Sequence, residues 1–305
     1  MTPQQALSDW SPEELGLRLA SDGVRLELPP FVFRIQSRIP VVAEALRTLY
    51  GDHRCWPGSD GFSDFHVSVV PRLGFFKRLC VFEMDGVRPF TPLAIGEAFA
   101  FLEWGMNWCV TSHCHLWLTI HSAVLEKAGR VVILPAPPGS GKSTLCAALM
   151  LHGWRLLSDE MTLLDPESGL VQPFPRAVSL KNESIEVIRR LDSSVAMGPV
   201  AHDTMKGHVA HLKMSDASRL QAHVPASPAW VVFPRFVRGA ALQAQARPKA
   251  GALVELASNS FNHHVHGRSG FEALTRLIDQ CDCYDFAYGQ LADALAWFDA
   301  LEPPT

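Results

Sequence analysis

An α/β fold, with a helix-closed C-terminal core behind an N-terminal α+β region, is what three observations in this sequence predict. The first is an apolar run, Val131-Val132-Ile133-Leu134, that feeds a glycine-rich turn and then a helical run over 145–151. The second is the order of elements from about Leu116, which reads strand, strand, turn, helix, strand, hairpin, helix and ends in two helical segments. The third is bulk: 305 residues, 48% hydrophobic and 19% charged, can bury a large core without disulfide or metal support and exclude wholesale disorder.

Taken in order, residues 1–112 carry short strand-like runs at 24–28, 31–35, 65–70 and 79–84 and helical stretches at 41–49 and 93–104. No chemical motif lies in this part, and an acceptor-selecting role is expected for it only on that ground. Trp104, Trp108 and Trp117 flank its end and are expected to pack the junction. Residues 113–305 form the second expected domain. Residues 116–126 read as a strand and its continuation, turned back through Lys127-Ala128-Gly129-Arg130 toward the strand at Val131. The helix after the glycine turn is expected to end at Gly153, and the run 154–158 to deliver Asp159-Glu160 at a strand end. Further on, Phe271, Leu274, Leu277, Ile278 and Cys281 mark one apolar helix face, and Leu291, Leu295, Phe298 and Leu301 mark another.

Charge and cysteine usage remove several classes of function. A net charge of -4 gives no basic footprint for nucleic acid. No apolar run approaches the ~18 residues of a membrane span, and the first sixteen residues have no basic n-region. The seven scattered cysteines are not an even disulfide framework, so a cytoplasmic protein with reduced thiols is expected. Cys109, His113, Cys114 and His115 lack a second knuckle at zinc spacing, and His263-His264-Val265-His266 and Cys281-Asp282-Cys283 read as surface histidines and small core cysteines.

The segment Ala136-Pro137-Pro138-Gly139-Ser140-Gly141-Lys142-Ser143-Thr144 reads as a Walker A loop in its proper strand-to-helix context. Its G-x-G-K-[ST] string arises by chance on the order of once in tens of thousands of positions. Glycines 139 and 141 let successive amides point at phosphate, Lys142 reaches the β and γ phosphates of ATP, and Ser143 can ligate Mg2+. Ala136 stands where the usual first glycine would be, which is tolerated where φ is negative. Asp159 arrives at the carboxyl edge of the sheet, where a carboxylate can hold Mg2+ or accept a hydroxyl proton. His121 can line the same crevice or be a satisfied core histidine.

His121-Ser122, the run from Ala136 to Ser143 and Gly153-Trp154-Arg155-Leu156-Leu157-Ser158-Asp159-Glu160 resemble, in order and spacing, the His-Gly, Walker A and Asp-Asp elements of the C-terminal domain of HPr kinase/phosphorylase. The runs 174–184 and 256–262 resemble the HPr-kinase-related kinase A subfamily. The likeness is strongest across 116–190. It implies a P-loop kinase core of the HPr kinase and phosphoenolpyruvate carboxykinase type, with Walker A and the aspartate on neighbouring strands. It also implies a homo-oligomer and a PqqD-like neighbour protein as partner. By this resemblance Asp159, Lys142 and His121 are catalytic, residues 138–144 (Pro138, Gly139, Ser140, Gly141, Lys142, Ser143, Thr144) bind the nucleotide, and Ser143, Asp159 and Glu160 position the metal. Glu160 stands for the family's second aspartate, and the Glu-x-Arg-Gly-Leu-Gly signature of the phosphorylase activity is absent, so dephosphorylation is not carried over. Lys181 and Asn182 either approach the transferred phosphate or, in the plainer reading, Asn182 caps a helix over 185–191.

The expectation is an ATP-dependent phosphotransferase that acts on an alcohol group, first of all Ser/Thr of a protein or peptide. The alternatives are a small-metabolite kinase, for example of a sugar, and a nucleotide-gated binding module without transfer.

Overall fold

The structure, a computed structural model, describes residues 5–73 and 78–302. The chain folds into two units, Met1–Val110 with Ser179–Lys213, and Thr111–Val178 with Met214–Thr305. A division at 112/113 assigns the segment Ser179–Lys213 to the C-terminal part, whereas in the fold it groups with the N-terminal unit.

In the first unit β1 (Gln5–Ala6), β2 (Val24–Leu28), β3 (Phe31–Ser37), β4 (Arg54–Pro57), β5 (Phe65–Leu73), β6 (Arg78–Met84) and β7 (Leu93–Ala94) form one sheet in the order β1-β4-β2-β3-β5-β6-β7. Strict alternation makes this sheet: Val24, Leu26, Leu28, Phe33 and Ile35 are buried while their neighbours are half-exposed. Helices α1 (Pro12–Ala20), α2 (Pro40–Tyr50) and α3 (Ala98–His113) accompany it. The helix expected over 93–104 starts later and runs longer, because Leu93 and Ala94 pair with β6 and the Ala94 N–H donates to the Glu97 carboxylate at 3.3 Å. Trp104 stacks on Phe90 at 4.4 Å, and Trp108 meets the same ring edge-on.

The segment that joins this unit supplies β14 (Val178–Lys181), α5 (Glu183–Leu191), β15 (Ala201–Thr204) and β16 (Gly207–Leu212), with sheet order β14-β16-β15. Asn182 makes no side-chain cap on α5. At φ 51° its Oδ1 accepts from the His208 N–H at 3.0 Å and its Nδ2 donates to the Lys206 carbonyl at 3.1 Å, which ties it to the β15–β16 hairpin. This contact corrects the capping reading and commits the amide to a structural partner.

The second unit is built on β8 (Leu118–His121), β9 (Ala123–Lys127), β10 (Arg130–Leu134), α4 (Lys142–Leu151), β11 (Arg155–Ser158), β12 (Met161–Leu164) and β13 (Val171–Gln172). It continues through α6 (Asp216–Leu220), β17 (Ser227–Phe236), β18 (Gln243–Ala246), α7 (Lys249–Ser258), α8 (His263–His266), α9 (Arg268–Gln280), β19 (Asp282–Tyr288) and α10 (Leu291–Asp299). Its main sheet runs β11-β9-β10-β17-β19-β18, and β13-β12-β8 forms a smaller one. Strands β10, β17 and β19 are parallel, and β9 is antiparallel to both β10 and β11. Strands β10, β11, β17 and β19 therefore all end at one edge. An α/β architecture with mixed sheets is thus observed.

Val131, Ile133, Val231 and Phe233 pack one face of the main sheet against Leu256 of α7 and Leu274, Leu277 and Ile278 of α9. Phe298 of α10 meets Phe286 and Trp154 edge-on, and α10 packs on α4. Of the expected α9 face, Leu274, Leu277, Ile278 and Cys281 are buried, but Phe271, in the first turn, is 57% exposed. Among the described residues no helix is long and apolar enough to cross a membrane.

Candidate functional site

Strand β10 ends at Leu134, and α4 begins at Lys142, three residues before the apolar run that marks it in sequence. The loop between them is shaped by Gly139 at φ 86° and Gly141 at φ 87°, a left-handed backbone that side chains resist. At Gly141 there is also no room: a Cβ would lie 2.8 Å from the Phe236 Cβ and 3.0 Å from the Tyr288 hydroxyl. The Phe236 N–H donates to the Ser140 carbonyl at 2.8 Å and the Tyr288 O–H to the Gly141 carbonyl at 3.3 Å, so the loop is strapped to the ends of β17 and β19. Burial pushes the Tyr288 phenol pKa up, which keeps it a donor. Among the described residues positive φ outside glycine belongs to Asp85, Ala128 and Asn182, so Ala136 meets its requirement. Pro138 and Gly139 are exposed, while Ser140, Ser143 and Thr144 are half-buried.

Lys142, 8% exposed, places its Nζ 3.3 Å from the His121 Nε2. The other ring nitrogen, Nδ1, lies 3.1 Å from the Glu160 carbonyl. A carbonyl only accepts and an ammonium only donates, so the proton sits on Nδ1 and Nε2 is the acceptor. In this tautomer His121 bridges the lysine ammonium and the Glu160 carbonyl. The Glu160 carboxylate is 4.0 Å from the same ring.

These residues meet at a corner of the fold. The segment expected as one strand over 116–126 breaks at Ser122, with β8 in the small sheet and β9 in the main one. The segment paired with it breaks opposite: β11 pairs with β9, β12 pairs with β8, and Asp159-Glu160 is the turn between them. Buried hydroxyls hold the corner. Ser122 Oγ and Thr162 Oγ1 lie 2.6 Å apart, and Ser158 Oγ accepts from the N–H groups of Glu160 and Met161 at 3.3 and 3.2 Å. Asp159 is 5% exposed, and β9 lies between its strand and β10, so the loop and the aspartate share an edge but not adjacent strands. Buried Cys146, on α4, reports the same neighbourhood. Its thiol is pushed well above the usual range by burial, and by the Asp159 and Glu160 carboxylates against the opposing Lys142 charge.

One functional neighbour escaped the sequence reading as physics. Residues 259–262 pair along the free edge of β8: the His121 N–H donates to the Asn259 carbonyl at 2.8 Å and the Phe261 N–H to the Thr119 carbonyl at 2.9 Å. Asn262, 1% exposed, accepts from the Thr119 N–H at 2.8 Å and donates to the Trp117 carbonyl at 2.9 Å. The Phe261 ring meets His121 edge-on at 6.0 Å. A lone asparagine carries no periodicity, so only the folded structure reveals this clamp.

Hard oxygen donors, the Ser143 hydroxyl and the Asp159 and Glu160 carboxylates, suit Mg2+, which accepts one or two carboxylates and completes its shell with phosphate and water. Among the described residues no three His, Cys, Asp or Glu side chains converge on a metal-sized point. The left-handed glycines and the helix start suit a polyphosphate. Comparison with known families finds no family that matches the chain, and comparison with curated proteins finds no significant match.

Proposed function

We propose that the chain is an ATP-dependent kinase that transfers the γ-phosphoryl group to a hydroxyl acceptor, first of all Ser/Thr of a protein or peptide. The observation that carries this reading is that Lys142, 3.3 Å from His121, and the buried Asp159 both act on the Cys146 thiol of α4, at the sheet edge where the left-handed glycine loop opens that helix. Phosphoryl transfer asks for positioning and charge neutralisation, and each residue has a part in that. In this reading the amides of 139–144 cradle phosphate oxygens and Lys142 neutralises the β and γ phosphates. Ser143, Asp159 and Glu160 would hold Mg2+, which supplies charge neutralisation when bound with the nucleotide. Asp159 accepts the proton of the attacking hydroxyl. Likeness in motif order to the HPr-kinase-related kinases supports the same reading, with a PqqD-like neighbour protein as candidate partner.

The test is transfer of γ-labelled phosphate from Mg-ATP into an extract of source cells that lack this protein, separated into macromolecular and small-molecule fractions. Label in a polypeptide establishes a protein or peptide kinase, and label in a small molecule establishes a metabolite kinase. Free phosphate alone, or no turnover, refutes the reading.

A further inference from the structure

Beside the glycine loop lies a cleft of about 590 Å3, walled by residues 135–140 and by β17, β18, β19 and α7. It opens at the carboxyl ends of β10, β17 and β19, the edge where open α/β sheets receive ligands, and its volume is that of a small-molecule site. Lys142, His121 and Asp159 are not part of its lining.

The lining chemistry is distinctive. Arg247 lies with its guanidinium carbon 4.0 Å from the Phe233 ring centroid. Two carboxylates hold it, Asp285 at 2.9 Å and Glu255 at 2.5 Å, so its charge is balanced within the wall. The remaining charge is a single exposed arginine, Arg235. Two arginines against two carboxylates leave the cleft without net charge. Gln245 stands opposite Asp285, and Gln243 opposite Ala287, in the β18–β19 register, so both amides line the same wall as the Asp285 carboxylate. Amides offer donors and acceptors together, and Asp285, 59% exposed, has acceptor capacity beyond its bond to Arg247. An anion would face two carboxylates beside the clamped Arg247 and have Arg235 as its counter-charge. A neutral ring with adjacent hydroxyls satisfies amides and carboxylates at once.

We propose that this cleft binds an uncharged, hydroxyl-rich ring beside the loop: the sugar of the nucleotide or a sugar-like acceptor. The inference rests on the proposed function in placing phosphates in the loop, and it adds the chemistry of the group next to them. The two sources present the same hydroxyls and differ in which ligand carries them.

The test uses the full chain and the double variant Gln243→Ala/Gln245→Ala, with Gln245→Leu as a bulk-preserving second variant. Both glutamines are exposed on the edge strand β18, and circular dichroism checks that the fold is kept. Calorimetry compares Mg-ATP with Mg-tripolyphosphate, which has the phosphates and no sugar. Weakening of Mg-ATP by about tenfold, with tripolyphosphate unchanged, assigns the cleft to the nucleotide sugar. Equal binding of both by variant and wild type, with loss in the variant of the saturation-transfer NMR signal of glucose or myo-inositol on protein loaded with a non-hydrolysable ATP analogue, assigns it to the acceptor. If tripolyphosphate binds and the variants change neither nucleotide nor ring binding, the cleft proposal is overturned while the phosphate cradle stands. If tripolyphosphate does not bind the wild type, the cradle falls and the proposal with it.

Discussion

The residues that decide the chemistry are few, and each has a distinct signature. Lys142→Ala removes the cation that lies 3.3 Å from His121, so Mg-ATP affinity is expected to fall and turnover to vanish, measured by calorimetry and labelled transfer. Asp159→Asn keeps the shape and removes the base, so binding is expected to persist while transfer drops by at least about a hundredfold. Gly141→Ala combines a positive φ with a contact of 2.8 Å to Phe236, and loss of measurable nucleotide binding in a folded protein is expected. The thiols give a pH readout. Burial pushes Cys55 and Cys80 to about 12 and Cys283 to about 11, which lowers their thiolate fraction, and Cys146 and Cys281 shift the same way. Alkylation of the native protein at pH 8 should therefore label half-buried Cys114 first, and mass mapping that finds Cys146 modified earlier would contradict the packing around the loop. At this scale the loop was legible in sequence because its spacing is dictated by backbone geometry. The His121 bridge and the Tyr288 strap were not, because they depend on partners 39 and 147 positions away.

Elements place those residues. Helix α9 buries Leu277 at 1% exposure against the sheet that carries the loop, and Leu277→Ala is expected to cost about 2–5 kcal/mol in a denaturant melt. On the other flank Arg155 and Glu126 stand directly opposite on β11 and β9 and pair at 2.5 Å, with side chains 7% and 10% exposed. Arg155 also donates to the carbonyls of Gln221 and Val224 at 2.8 and 2.9 Å. Arg155→Ala strands a buried carboxylate and should destabilise by about 3–5 kcal/mol, more than an exposed pair such as Arg268–Glu272 is worth. Strands β2 and β3 were readable because one face is buried and the alternation is strict. Helix α7 was not, since its run Lys249–Ser258 mixes Ala, Gly and single apolar residues and buries only Ala252 and Leu256. The break at Ser122 was equally silent: an apolar run looks the same whether it stays in one sheet or changes sheets, and the change is made by hydroxyl contacts to a strand 40 residues away.

Across the whole molecule, chain order and spatial grouping diverge. The segment Ser179–Lys213 lies in sequence between the site elements, after β10, α4 and β11 and before β17 and β19, yet groups with the N-terminal unit, where β14, β16 and β15 form a sheet of their own. Composition foretold an α/β protein with a large core but not this crossing, since nothing in a local pattern says which core a strand will join. The site itself is carried entirely by the second unit, through the shared edge of β10, β11, β17 and β19. Its purpose is best tested by single-turnover transfer of γ-labelled phosphate from Mg-ATP to the acceptor fraction, with wild type and Asp159→Asn compared at saturating nucleotide. The kinase account predicts label in an acceptor with wild type and a loss of at least about a hundredfold with the variant, at matched nucleotide occupancy. Equal transfer by the two proteins, or nucleotide binding with no labelled acceptor, would contradict it.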